Sequence, residues 1–446
     1  MIIDCSSRIE ANWNWKTSTF ISQSYNNNDE FQEFGLKWLG TGFTFITTPK
    51  WLNKKYKNLD DFDLKYFCGS ANIIEIPKNQ KINREFLENK LRDLKNNNIN
   101  ICILSTNHSK NISNKHIEYW KYSPIIEEDV IELLIENSIK HLVLDFSCES
   151  IQSNREKDKI EFINPNEKIK IELLKNDILI TENFISNHNS LKSFYIGLPI
   201  FIPEGSTSPT RPILIDEWYK KKYKIFDVAT PLFNHWRWKL DIWENENELI
   251  NGEKVTESNF IFAGHGFNHC DAPRHMNRDG KSIQELPNEG LDIFINKANI
   301  VDLSSNELPF KITRDMLEEK LKNKPREKLI IIRSDLTNKV GYASKEWHLK
   351  APNLDIDAAN WIVENKFISV CLDFPQDYIA REMPTRKVYN NEFIIHHKIF
   401  DNNITFIEDL KDIGLINRDT IQICAVPLKM DCYDGAPMRT IAIDWE

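Results

Sequence analysis

Along the second half of the chain, short apolar runs alternate with stretches in which apolar residues recur every three or four positions. Lys224–Val228, Asn299–Leu303, Leu329–Arg333 and Ile368–Phe374 carry the apolar, largely β-branched signature of strands. Thr313–Lys322 reads as a helix capped by Thr313, and Asp357–Asn365 as another. Asn391 opens a short helical pattern with apolar Phe393, Ile394, Ile395, Ile399 and Phe400, closed by Asp401-Asn402-Asn403. Ile404–Ile407 follows as a strand, with Glu408 at its exit. Strands alternating with helices in this way predict an α/β fold.

The first half repeats the pattern. Gly40–Trp51 lies over Gly264–His275 residue for residue, with glycine, phenylalanine and proline in register. Ile3-Asp4 pairs with Phe226-Asp227, Trp13 and Trp15 with Trp236 and Trp238, and Leu144-Asp145-Phe146 with Leu372-Asp373-Phe374. The offset stays near 225, roughly, far longer than a solenoid repeat. A tandem duplication is expected, with domains at 1–216 and 217–446, each large enough to bury its own core.

Composition adds a few exclusions. With 446 residues, 41% of them hydrophobic, and only 14 glycines, the chain is globular rather than disordered. Its net charge of −9 is spread over both halves without a basic face, which excludes nucleic acid as a partner. Lys220-Lys221-Lys222 reads as a solvated linker. The eight cysteines (Cys5, Cys68, Cys102, Cys148, Cys270, Cys371, Cys424, Cys432) lack disulfide or metal spacing and read as buried thiols. Met1-Ile2-Ile3-Asp4 begins directly on a strand, and no apolar stretch is long enough to span a membrane. A cytoplasmic protein without a membrane partner is expected.

The candidate chemistry is concentrated in Gly264–His275, where three histidines and an aspartate stand at the spacing His-x3-His-x-Asp-x-Pro-x-His. Imidazole and carboxylate hold zinc, manganese or iron while leaving a position open for water. His265, His269, Asp271 and His275 all occupy odd positions. In an extended chain alternate side chains share a face, so His269 and Asp271 point the same way, with Cys270 on the opposite face. A helix would bring His265 to His269 but turn Asp271 away. Gly264 and Gly266 permit a bend, and Pro273 keeps the run out of a helix. A metal site on a strand and loop is predicted. In the first half Thr41, Phe45, Thr47 and Trp51 stand at the four corresponding positions, and none supplies an imidazole.

The motif is similar to the signature of the metal-dependent cyclase/kynurenine formamidase family, His-x-Gly-Thr-His-x-Asp-x-Pro-x-His, with Phe267 in place of the glycine and Asn268 in place of the threonine. Ala351-Pro352-Asn353-Leu354, Leu372-Asp373-Phe374-Pro375, His396 with Glu408-Asp409-Leu410, and Asp434–Arg439 resemble further family elements in the same order. The resemblance implies a swivelling β/β/α fold around a barrel-like sheet. It also implies an internal pseudo-dimer of the two copies, with or without further homo-oligomerisation. One or two divalent ions, Zn2+ or Mn2+, would be held by His265, His269 and Asp271 on the first and by Asp271, His396 and Glu408 on the second. From pattern alone Glu408 reads as a surface residue. His397 adjoins His396, but the separation of twelve from Glu408 favours His396. In the first half Lys170 falls where His396 would be, and Glu182 stands opposite Glu408.

The activity so implied is hydrolysis of a carbon–nitrogen bond in a small amide, formamide or cyclic amide, with His275 moving the proton. Trp236, Trp238 and Phe267 are candidates for stacking on an aromatic small-molecule substrate, or are ordinary core aromatics, since Trp13, Trp15 and Phe43 recur in the other half. Two other readings stand beside it. One is a metal-dependent cyclase, dehydratase or lyase of a biosynthetic pathway, favoured by the altered Phe267-Asn268 pair. The other is a non-catalytic binding protein, against which the retained His275 argues.

Overall fold

The computed structural model describes the chain apart from residues 11–14, 16, 24–31, 150, 153–160, 163, 239, 250–251 and 432–433. Trp13 and Cys432 therefore lie outside the described residues. The chain forms two compact units. The first comprises Met1–Ser18, Trp38–Lys221 and Ile242–Phe260; the second comprises Thr19–Lys37, Lys222–Asp241 and Ile261–Glu446. The main division falls at Lys221/Lys222 instead of 216/217. Each unit also takes a segment from the opposite half of the sequence, which no contiguous reading would reveal.

In the second unit eight strands follow one another in the order Tyr223–Asp227, Gly435–Trp445, His269–Asp271, Thr405–Glu408, Ser369–Leu372, Leu329–Arg333, Lys297–Asp302 and Thr420–Pro427. Thr420–Pro427 pairs back onto Gly435–Trp445, so the last seven close on themselves as a barrel-like sheet. Four neighbours, from Thr405–Glu408 to Lys297–Asp302, run parallel. Leu329, Ile330, Ile331 and Ile332 in this block are all fully buried, which is why they form one continuous apolar run instead of alternating. The helices Arg314–Lys320, Ile356–Glu364 and Ile394–Phe400 lie within a few residues of their predicted bounds. Thr313 precedes the first but makes no side-chain cap bond, whereas Asp355 caps the second by accepting from Ala358 N at 2.8 Å.

The first unit holds a nine-stranded sheet whose inner strands Cys68–Glu75, Ile101–Ser105, His141–Leu144 and Leu179–Glu182 are again parallel. Several of its local arrangements match the second unit. Arg211 donates through Nε and Nη2 to Asp4 Oδ2 at 3.1 and 2.8 Å, as Arg439 does to Asp227 Oδ2 at 3.1 and 2.6 Å. Phe43 and Phe267 share a left-handed backbone, with φ of 54° and 55°. Tyr119 donates to Asn183 Oδ1 at 2.9 Å, and Tyr342 to Asp409 Oδ2 at 2.6 Å. The first unit also holds a fully buried ion pair, Lys170 Nζ to Glu182 Oε2 at 2.5 Å. The Lys170 ammonium also stands over the Trp51 ring, 4.6 Å from its centroid. Among the described residues no helix is long and apolar enough to cross a membrane.

Candidate metal centre and its cavity

The site is assembled by strand pairing. His269–Asp271 lies between Thr405–Glu408 and Gly435–Trp445, in a register that sets His269 directly across from Glu408 and from Pro437. Asn268 ties the same three strands together. Its Oδ1 accepts from Thr440 N at 2.7 Å, and its Nδ2 donates to Glu408 O at 3.0 Å. Two glycines are dictated by close approach. Gly266 has φ of 116°, and a Cβ there would meet the Trp238 ring at 2.5 Å. A Cβ on Gly435 would stand 2.7 Å from both Cys270 O and His265 Cε1.

Four side chains converge. His269 Nε2 is 3.2 Å from Asp271 Oδ1 and 3.7 Å from Glu408 Oε2. His396 Nε2 is 3.6 Å from Glu408 Oε1 and 4.0 Å from Asp271 Oδ2. The other nitrogen of each ring is already engaged. His269 Nδ1 donates to Phe267 O at 2.9 Å, and His396 Nδ1 donates to Asp377 Oδ2 at 2.6 Å, so both rings turn Nε2 inward. Donors with bonds of about 2.0–2.2 Å to one ion lie no more than about 4.4 Å apart. Each of these spacings meets that limit, and His269, Asp271 and Glu408 each offer one donor atom within 4.8 Å of the other two, a set that fits a divalent metal ion.

His265 is placed differently. Its Nδ1 is 2.7 Å from Asp271 Oδ1 and its Nε2 is 2.9 Å from Asp434 Oδ2, so both nitrogens face carboxylates. Burial pulls its pKa down, but Asp271 and Asp434 outweigh burial and hold it well above the ordinary histidine value. In the same way His269 is raised to about 9, against burial, chiefly by Asp271. Asp271 is held well below the usual carboxylate range: burial opposes this, and His265 and His269 prevail. His275 follows on the short turn Pro273–His275, stacked on His265, with Nδ1 3.8 Å from Asp434 Oδ2.

A cavity of about 240 Å³ opens onto these groups, and Trp236, Trp238, Trp347, His348, Met383 and Phe393 line it. Phe267 does not. It is fully buried, and its left-handed backbone directs the ring against Phe233 and Tyr342, with centroids 5.2 and 5.5 Å away. The expected stacking role for Phe267 is therefore replaced by a packing role.

Sequence reasoning missed several residues of the site. Tyr342 accepts from Phe267 N at 2.7 Å and from Trp238 Nε1 at 2.8 Å while donating to Asp409, which fixes Trp238 in the cavity wall. Burial, with Glu408 beside it, pushes Asp409 up to about 7 against the pull of His269. Gln376, Asp377, Asp409 and Asp434 each lie inside or next to a recognisable motif, and attention to the motif's polar neighbours would have found them. Tyr342 carries no such signal.

The Cyclase family model matches residues 205–376. Kynurenine formamidase of Bacillus anthracis is 26% identical over 230 residues, covering 50% of this chain and 98% of that protein. Kynurenine formamidase of Bacillus mycoides (strain KBAB4) is 26% identical over 200 residues, covering 45% of this chain and 83% of that protein. Among solved structures, isatin hydrolase A from Labrenzia aggregata bound to benzyl benzoate is 18% identical with a TM-score of 0.42, covering 50% of this chain and 94% of that one. Isatin hydrolase A from Ralstonia solanacearum is 19% identical with a TM-score of 0.40, covering 50% and 92%. The second half of the chain is thus similar to kynurenine formamidases, and residues 205–376 match the Cyclase family model.

Proposed function

We propose that this chain is a metal-dependent hydrolase that cleaves the carbon–nitrogen bond of a small aromatic amide, formamide or cyclic amide. One observation carries the reading: His269, Asp271, His396 and Glu408 converge beside His275 on the wall of a cavity lined by tryptophans. Zn2+ or Mn2+ suits the mixed imidazole and carboxylate donors. When bound, such an ion acidifies a water toward neutrality and polarises a carbonyl.

The protein supplies the remaining parts. Trp236, Trp238 and Trp347 offer flat apolar faces to an aromatic ring. His275 takes a proton from the attacking water and returns it to the leaving nitrogen. Asp434, facing both His275 and His265, holds the first in line with the second. Kynurenine formamidase relatives at 26% identity support the amide class, as does the retained His275.

The test is a metal analysis of the purified chain followed by a panel of N-formyl-arylamines and cyclic amides. Bound zinc or manganese with turnover on the panel is expected. A metal-loaded protein silent on every amide would overturn the reading.

A further inference from the structure

The Tyr342 hydroxyl is fully committed. It accepts from Phe267 N at 2.7 Å and from Trp238 Nε1 at 2.8 Å, and it donates to Asp409 Oδ2 at 2.6 Å. A hydroxyl has two lone pairs and one proton, so nothing is left over. Each of these bonds leads to a different part of the site. Phe267 lies between His265 and His269, Asp409 follows Glu408, and Trp238 lines the cavity. The backbone of the same tyrosine holds the segment that leads into Trp238. Tyr342 O accepts from His235 Nε2 at 3.1 Å, and His235 Nδ1 accepts from Arg237 N at 3.1 Å and Trp238 N at 3.4 Å. Those partners fix the tautomer, because a peptide N–H only donates and a carbonyl only accepts. The Tyr342 ring also packs edge-on against Trp347, another residue of the cavity wall, with centroids 4.8 Å apart and planes at 64°.

Tyr342 is itself buried and is not among the residues that line the cavity. Its influence on a bound molecule therefore runs through the groups it holds. We propose, building on the aromatic-amide reading above, that Tyr342 is a positioning residue that sets substrate preference. It holds Trp238 and Trp347 as one wall, in register with the loop that carries His265 and His269, so that an aromatic ring seated on the wall presents its amide to the metal donors. A phenylalanine in its place would leave the Trp238 and Phe267 N–H groups without this acceptor, and the wall would be free to shift relative to the donors. The fold does not require such a bond. In the first unit Tyr119 donates to Asn183 Oδ1 at 2.9 Å, yet Trp15 Nε1 turns to Glu149 Oε2 at 3.4 Å.

The probes are acetophenone and cyclohexyl methyl ketone, which are alike in size, differ in whether the ring is aromatic, and have no bond to hydrolyse. Binding of each to the full-length protein loaded with Zn2+ is measured by isothermal titration calorimetry. Wild type, Tyr342→Phe, Trp238→Phe and the double variant are compared. The wild type is expected to hold acetophenone about 3–10-fold tighter, the usual contribution of an aromatic pair beyond its buried area. Either single variant should erase most of that preference, and the double variant should lose no more than either alone, because both changes cut the same bond. Equal weakening of both ketones in Tyr342→Phe would overturn the proposal, since it would mark a structural role only. So would additive losses in the double variant, and so would a wild type without preference. If Tyr342→Phe does not fold, Trp238→Phe decides: a preference kept overturns the proposal, and a preference lost supports it. Turnover of the amide panel is read on the same wild-type sample. A silent protein whose preference depends on Tyr342 defeats the hydrolase reading alone, and an active one whose preference does not depend on it defeats the positioning role alone.

Discussion

The rings of His265 and His275 lie face to face, with centroids 3.7 Å apart and planes inclined by 23°. The stack restrains His275 at the cavity wall, where a proton carrier has to be held within reach of both water and leaving group. His275→Ala is therefore expected to lower kcat by roughly 10²–10⁴-fold, the usual contribution of a general acid–base, while the bound metal is retained. Steady-state kinetics beside elemental analysis tests this. Loss of the metal along with activity would instead make His275 a ligand, since its nitrogen, one of His265 and an oxygen of Asp271 also lie within 4.8 Å of one another.

Asp434 reaches both members of that stack, at 2.9 Å from His265 Nε2 and 3.8 Å from His275 Nδ1. Its contribution is to orient imidazoles. Asp434→Asn keeps the shape and removes the charge, so kcat should fall by about 10–100-fold, the range seen when outer carboxylate partners of metal-site histidines are lost. KM should change far less than kcat. A change confined to KM would place Asp434 in substrate binding.

In the first unit, Lys170 and Glu182 are both almost fully excluded from solvent. Burial lowers the pKa of the Lys170 ammonium, but Glu182 and Glu149 together raise it above the ordinary lysine value. Lys170→Met would strand the Glu182 carboxylate in a dry interior, at a cost of about 3–5 kcal/mol. The double variant Lys170→Met/Glu182→Gln should recover a large part of that loss. Urea unfolding of the two variants gives the comparison, and equal destabilisation of both would mean that the stranded charge is not the cause.

Much of the second unit was legible in the sequence because its physics is local. Ile330-Ile331-Ile332 reads as a strand through its β-branched run. The odd-numbered spacing of His269 and Asp271 already implies a shared face on an extended segment. Glu408 was not legible on its own: it looks like a polar residue at a strand end, and only the pairing of Thr405–Glu408 with His269–Asp271 sets it opposite His269. Phe267 misled, because a bulky residue in a loop beside ligands suggests a cavity wall, whereas its left-handed backbone sends the ring into the core. The exchange of 19–37 and 242–260 between units left no local trace, since the cause is long-range. Lys50, for instance, binds Glu244 Oε1 at 2.7 Å, a partner from the other half of the sequence.

His141 gives a pH dependence whose sign can be worked out. It is fully buried, with Nδ1 2.7 Å from Tyr66 O and Nε2 2.8 Å from Thr181 Oγ1. Nδ1–H donates to the carbonyl and Nε2 accepts from the hydroxyl, so the neutral ring satisfies both partners. Burial pushes its pKa down to about 4 from the ordinary 6.5. Unfolded, the residue takes up a proton near pH 6.5; folded, it declines one until about pH 4. The unfolded chain thus binds more protons across that window, and stability drains away as pH falls through it. The full loss is on the order of 3 kcal/mol from this residue. His141→Gln keeps a donor and an acceptor but does not titrate, so its urea midpoint should fall less than that of the wild type between pH 7 and pH 4.5. Parallel declines in the two proteins would assign the acid sensitivity to other groups.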